Sequence, residues 1–235
     1  MASDAGSTHG QAEVIGEGQW EIGVYAPLRR GLGKDIEVSI HPVTALTAPH
    51  IAVKKVWKRT TNWDRATRHS ILYPTPMLRM LARRGTGGIL PGDATVPVII
   101  SMDSRILQTH RIDPKTTVTM SARAQWGVEI GESDWPTLDM PIAYTRTLAY
   151  QKHLVTAAAV QIDRSILSQF GYRLRTEIWT CLFEEDMWAT EFKSTLLWKP
   201  SEAFTAQLTG MMIVGNYPYG SAWHALPGFD LIWAF

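Results

Sequence analysis

From Gly171 to Phe183 the chain reads GYRLRTEIWTCLF. Tyr172, Leu174, Thr176, Ile178, Thr180 and Leu182 fall on one side of a period-two ribbon. Arg173, Arg175, Glu177, Trp179, Cys181 and Phe183 fall on the other. This alternation is rich in aromatic and β-branched residues and free of proline, and it predicts a strand. One face is wet at the Arg173/Arg175 end, whereas both faces are apolar at the Trp179/Phe183 end. The strand is therefore expected to enter a sheet from solvent and become central.

Further strands follow from the same pattern. Trp20 to Tyr25 is a short extended segment. Lys34 to His41 sets Ile36, Val38 and Ile40 against Glu37, Ser39 and His41. The continuous apolar run in Val96 to Leu107 predicts a buried strand. Thr116 to Ile130 predicts a strand with Val118, Met120, Ala122, Ala124, Trp126 and Val128 facing inward and a bulge at Gly127. Glu191 to Lys199 is another strand, and Met211 to Val214 with Ser221 to Leu226 forms a terminal hairpin. The apolar ending FDLIWAF must be buried, in this chain or against another.

Helices are expected at Asp64 to Leu72, with Asp64 near the N-cap, and at Pro76 to Arg84. The latter has proline in its first turn, a Met77, Leu78, Leu81 stripe and Gly85 as its stop. A short capped helix is expected after Pro200 and Ser201, ending at Gly210. Ile51 to Lys58 fits a strand or a helix. Tyr144 to Ile166 fits a helix over Leu148 to Ala159 or a strand ending in VQI. The expected class is α+β: a mostly antiparallel sheet with two or three covering helices, in a single compact domain over residues 19–235. Residues 1–18, small, polar and glycine-rich, read as a flexible tail.

Composition adds a globular balance, 45% hydrophobic and 19% charged, with a net charge of +1. Cys181 is alone, which excludes an internal disulfide and suits a reducing compartment. The N-terminus has no basic stretch followed by an apolar core, and no run approaches the roughly 18 apolar residues of a membrane helix. A soluble, cytosolic protein is expected. The charge is polarised. Lys54, Lys55, Lys58, Arg59, Arg65, Arg68, Arg79, Arg83 and Arg84 share their stretch with one acid, Asp64, whereas acids outnumber lysines from Glu177 onward. Trp57 and Trp63 are interleaved with the basic block. Cations beside tryptophan suit anionic lipid headgroups, at about 1 kcal/mol per basic residue, or nucleic-acid phosphates.

Catalytic chemistry finds little support. No two of the seven histidines are spaced as HxH or HxxxH, and no second cysteine is present, so no metal site is expected. GTGGILPG at 85–92 lacks the GK[ST] of a phosphate loop and reads as a flexible turn. Asp103 is expected to pair with Arg105 or Arg123, and Cys181 to pack as a small hydrophobe. The expectation is a non-enzymatic protein with no cofactor and no small-molecule substrate.

The ribbon GYRLRTEIWTCLFEED, the aromatic segment after it and the closing AQLTGMMIVGNYPYGSAWHAL resemble the end of a rhabdovirus matrix protein, over roughly the last 65 residues. The tail lacks the lysine-rich stretch and PPxY or PTAP motifs usual in that family. The resemblance implies a viral matrix-like structural protein that self-associates as a homo-oligomer beneath a membrane. Its location would be the virion and the host cytoplasm, peripheral at the inner face of the membrane. The block of Lys54, Lys55, Trp57, Lys58, Arg59, Trp63, Arg65, Arg68, Arg79, Arg83 and Arg84 would then contact acidic membrane or the nucleocapsid. The alternative is a jelly-roll capsid or movement protein binding single-stranded nucleic acid.

Overall fold

Each period-two segment needs a hydrogen-bonding partner on both edges, and in this chain every segment finds one next to it in sequence. A computed structural model describes residues 8–85, 90–134, 141–152, 154–182, 187–217 and 220–235. In it β1 (Trp20–Gly23), β2 (Leu28–Gly33), β3 (Ile36–Ile40), β4 (His50–Arg59), β5 (Trp63–Leu72), β6 (Val98–Asp113) and β7 (Thr116–Ile130) are followed by β8 (Leu154–Ser165), β9 (Phe170–Cys181), β10 (Trp188–Ser201), β11 (Phe204–Tyr217) and β12 (Gly220–Ala234). All neighbours pair antiparallel in sequence order, and β1 closes on β12 through Ile22 opposite Trp233. Backbone bonds in both directions between Trp20 and Phe235 fasten the seam, at 2.8 and 3.0 Å. The fold is a closed up-and-down barrel, which leaves no free sheet edge.

The two ends of the barrel differ. At one end the connections are short: residues 34–35, 60–62, 114–115, 166–169 and 202–203. Lys34 and Asp35 both have positive φ, 50° and 62°, giving the tight turn whose twist matches a hairpin. Longer segments emerge at the other end. One carries α1 (Thr75–Leu81) between β5 and β6, another α2 (Pro141–Lys152) between β7 and β8.

The faces of the sheet are inverted relative to a soluble domain. On β6 to β12, Ile106, Val160, Ile178, Phe192, Leu196, Leu208 and Met212 point outward and are exposed. Glu37, Lys54, Asp64, Asp103, Gln125, Gln161, Arg173, Glu177 and Glu191 point into the barrel and are buried. On β7, Val118, Met120, Ala122, Ala124, Trp126 and Val128 lie on the outer side, the reverse of their expected direction. Met120 is 45% exposed and its neighbour Thr119 1%. The period was right, but the buried side of this strand is the polar one.

The α+β expectation, a sheet with two or three covering helices, is corrected to a barrel with helices only in its long loops. Asp64 to Leu72 is β5 and not a helix: it lies between β4 and β6, where sheet pairing outweighs a cap-like aspartate. The expected helix after Ser201 is the start of β11. Tyr144 to Ile166 holds both readings in succession, α2 and then β8. Gly127 marks no bulge, since it pairs with Ser101 of β6 in continuous register with its neighbours. It marks a close approach instead: a Cβ there would stand 2.4 Å from the Ala149 carbonyl of α2. That contact seats α2 inside the barrel.

Among the described residues, buried apolar side chains gather in three clusters within the wall. Leu148 and Ala149 of α2 pack against Val155, Trp179, Cys181, Met187, Ile213 and Tyr217 at the long-loop end. Leu78 of α1 packs with Leu90, Val96, Ile99 and Tyr150. Toward the short-turn end, Ala12 sits on Val56, Ala66 and Leu107. Residues 8–18, expected as part of a flexible tail, thus run inside the barrel. The Gly127 contact gives a direct test. Gly127→Val should push α2 off the wall and destabilise the protein by about 1–3 kcal/mol through overpacking. Denaturant unfolding of the variant in detergent checks it, and an unchanged midpoint would show that α2 does not rest on that glycine.

Candidate pore lumen

The inner wall is built from side chains that alternate with the outward apolar ones, so charge on this face is set by strand register. Lys54 on β4, Arg68 on β5, Arg105 on β6 and Arg123 on β7 are successive register partners. Four cations therefore stand side by side across four strands. Like charges directly opposite one another destabilise a sheet, so the arrangement needs acids. Glu37, the β3 partner of Lys54, lies 3.4 Å from its ammonium and binds Arg29 at 2.9 and 2.6 Å. Asp103 takes a hydrogen bond from Arg123 and faces Arg68 at 3.9 Å. Glu177 from the far wall lies 3.6 Å from Arg105 and 3.0 Å from Arg175.

The opposite arc repeats the pattern. Arg173 binds Asp163, its register partner, at 2.6 Å. Arg175 stands beside Gln161 on one side and Lys193 on the other. Glu191 accepts from Arg146 of α2 at 2.9 Å. Arg123 also lies over the Trp179 ring, 4.6 Å from its centroid, at the border with the apolar plug around α2. Across this girdle Lys54, Arg68, Arg105, Arg123, Arg173, Arg175 and Lys193 outnumber Glu37, Asp103, Asp163, Glu177 and Glu191. The Arg105 Nε, buried, has no hydrogen-bond partner in the structure. Among the described residues, the girdle thus carries more cations than acids.

Residues 8–19 form a strap across the inside of the short-turn end. Arg29 donates to Thr8 Oγ1 at 2.6 Å, Gln161 to the His9 carbonyl at 3.2 Å, and Gln11 to Thr117 Oγ1 at 3.2 Å. The Ala12 N–H donates to Thr109 Oγ1 at 2.8 Å and the Ile15 N–H to Glu37 at 3.2 Å. Lys54 donates to the Glu13 carbonyl, and Arg111 binds the Glu13 carboxylate together with Asp64. Burial, reinforced by the Arg29 charge, holds the His9 imidazole below its ordinary range. Beside the strap opens a cavity of about 400 Å³ lined by Glu13, Glu21, Arg59, Arg111, Phe204 and Phe235 among others.

The basic block singled out in the sequence does not form one surface. Lys54 and Arg68 point into the lumen. Lys55, Trp57, Lys58, Trp63 and Arg65 lie on the outer face of β4 and β5, with Lys55 over Trp57 at 4.1 Å and Trp63 stacked on His110 at 4.1 Å. Arg59 pairs with Asp35 at 2.8 Å at the short-turn end. Arg79 donates to the Val96 carbonyl at 3.0 Å beside the long loops, with Arg83 and Arg84 exposed beyond α1. Consecutive residues on a strand face opposite ways, so a block of charge in sequence is split by the wall. Sequence reasoning passed over Arg105, Arg123, Arg175, Glu177 and Glu191 as lumen residues. The signal was present in β9, where Arg173, Arg175 and Glu177 alternate with Leu174, Thr176 and Ile178, the dyad of a membrane barrel. Asp103 does pair with Arg123, one of its two expected partners.

No protein-family model matches the chain, and no curated protein matches it. Solved structures do match in fold. The KdgM porin in complex with disordered oligogalacturonate aligns with a TM-score of 0.52 at 8% identity, covering 92% of this chain and 96% of the porin. The NanC porin aligns at 0.51 and 9%, over 92% and 96%. A bacterial polysaccharide outer membrane secretin aligns at 0.52 and 9%, over 95% and 78%. The chain is similar to these proteins in barrel architecture. That architecture overturns the viral matrix-like reading with its nucleocapsid partner and its peripheral place in the virion, and the jelly-roll alternative with it. A matrix domain was expected to be α+β and a jelly roll is two stacked sheets, whereas this chain winds up and down into one closed wall with a band of ion pairs inside.

Proposed function

We propose that this protein is a channel of the outer-membrane type that passes small, negatively charged solutes, short acidic oligosaccharides among them. The observation that carries the reading is the inversion of the wall. A barrel with aliphatic and aromatic residues outside and ionic pairs inside has its low-energy state in a bilayer, where outward strand faces meet hydrocarbon and closure satisfies every backbone pair.

The outer aromatics support this placement. Trp126, Trp188 and Trp223 lie toward the long-loop end, and Trp57, Trp63, Trp198 and Trp233 toward the short-turn end. Exposed isoleucine, valine, leucine, phenylalanine and methionine predominate between them on β7 to β12, with Lys55, His69 and Ser104 standing among the apolar residues on β4 to β6. Trp188 opens β10 and Trp198 lies ten residues along it; ten residues at about 3.3 Å each make roughly 33 Å of strand. A tilt of about 40° projects this to about 25 Å, the height of the apolar band of a membrane barrel. Trp57 and Trp63 thus keep a membrane role, in a lipid-interface girdle and not on a peripheral basic patch.

The excess of arginine and lysine in the girdle favours anions over cations in the lumen. One structurally similar porin is in complex with oligogalacturonate, and another similar protein is described as a polysaccharide outer membrane secretin. The chemistry needed is binding and passage, with no bond made or broken. Two measurements test the reading. In planar bilayers under a salt gradient, the reversal potential should show anion preference, and Arg105→Glu with Arg123→Glu should shift it toward cations. A cation-selective parent would sink the anionic-solute reading. In lipid, Phe192→Arg, near mid-height between Trp188 and Trp198 on the outer face, should destabilise the barrel by about 2–4 kcal/mol. A neutral effect in unfolding from vesicles would show that this face does not meet hydrocarbon.

A further inference from the structure

We propose that residues 8–19 are a releasable strap that closes the lumen at the short-turn end by occupying cations of the inner wall, a reading that rests on the channel function above. The first support is that the wall is cut to receive the strap. A Cβ on Gly31 of β2 would stand 2.0 Å from the Gly16 carbonyl oxygen, and one on Gly33 would stand 2.7 Å from the Glu17 carboxylate. Backbone bonds run both ways at this notch: Gly18 N–H to the Gly31 carbonyl at 3.0 Å and Gly31 N–H to the Gln19 carbonyl at 3.1 Å. Gly33 and Gly10 owe their glycine to positive φ values of 78° and 81°; Gly31 has no such need, and its bare inner face is what leaves room for the strap backbone.

The second support is the nature of the contacts. The strap supplies acceptors to cations that line the passage: the Glu13 carboxylate to Arg111, the Glu13 carbonyl to Lys54, and the Thr8 hydroxyl to Arg29. Its apolar contribution is small. Ala12, fully buried, and the partly buried Val14 touch Val56, Ala66 and Leu107. A segment held mostly by polar exchange has little apolar area to lose on leaving, because water or an anionic solute replaces its hydrogen bonds. Released, it uncovers Arg29, Lys54 and Arg111 and joins the 400 Å³ cavity to the ionic girdle. The strap thus stands in the place an acidic solute would take.

Two readouts on the full chain test this. Ala12→Cys reports seating through its rate of reaction with a water-soluble maleimide; the chain's own Cys181 is buried. Single-channel conductance reports closure. Gly31→Val places a branched side chain where the Gly16 carbonyl lies, and the φ of Gly31 is not positive, so the strand accepts valine. Ala12→Asp unseats the strap from its own side without altering the wall. The expected result is slow labelling and low conductance in the parent. Labelling of Ala12→Cys should rise at least tenfold when combined with Gly31→Val, and conductance should rise several-fold in both Gly31→Val and Ala12→Asp, with anion preference kept. Fast labelling in the parent overturns the seated strap. Fast labelling in the variant with conductance equal to the parent's overturns its closing role and leaves the channel reading standing. Insertion without conductance in every form sinks the channel reading and takes the strap's role with it.

Discussion

The charges on the inner wall, and the pairing that lets them stay there, are what the rest of the structure depends on. Strand register lines up Lys54, Arg68, Arg105 and Arg123, and an unopposed row of cations in a closed interior costs several kcal/mol per ion. Glu37, Asp103 and Glu177 meet that cost from three different strands. The ion pairs therefore tie distant parts of the wall together. Glu177 on β9 reaches Arg105 on β6 across the interior, and Arg146 on α2 reaches Glu191 on β10. A wall of simple hairpins becomes a braced cylinder.

The same constraint explains the outside. A strand that gives every second position to a charged lumen has only the other half for apolar side chains, and the wall leaves them no partner within the chain. Ile178, Phe192, Leu196 and Leu208 stand exposed because the barrel interior is already occupied by polar groups. Exposed apolar residues on this scale mark a surface that meets another apolar phase or partner, which the proposed channel reading takes to be lipid. The tryptophans at its two borders have an amphipathic ring suited to the lipid interface.

What fills the barrel differs at its two ends, and the difference follows from chemistry. At the long-loop end α2 packs Leu148 and Ala149 into an apolar nest, seated by the close contact at Gly127. That plug resembles a small domain core. At the short-turn end the strap makes mainly hydrogen bonds and ion pairs over glycine notches. The first kind of contact loses hydrophobic energy when opened; the second exchanges one set of polar partners for another. Under the proposed reading, an element that can leave is more easily built the second way.

The amino-acid sequence by itself determined several of the strands, β3, β6, β7, β9 and β10 among them, and the two-sidedness of β7 and β9. Tyr172, Leu174 and Ile178 on one face of β9, with Arg173, Arg175 and Glu177 on the other, follow from period two alone, as does the pattern of β7. It also marked a helix near Pro76, one reading of the segment before β8, and the Asp103–Arg123 pair. Only the tertiary structure decided which face turns inward. Alternation names two faces but not the medium each one meets, and a soluble sheet and a membrane wall share the same period. Asp64 to Leu72 shows the limit from another side: its helical local signs yield to the edges of β4 and β6, which lie beyond any local window. Closure of β1 on β12, the row of cations across four strands and the passage of residues 8–19 through the interior are all contacts between residues far apart in the chain. Such contacts depend on the register of the whole ring, and no single stretch of sequence carries that information.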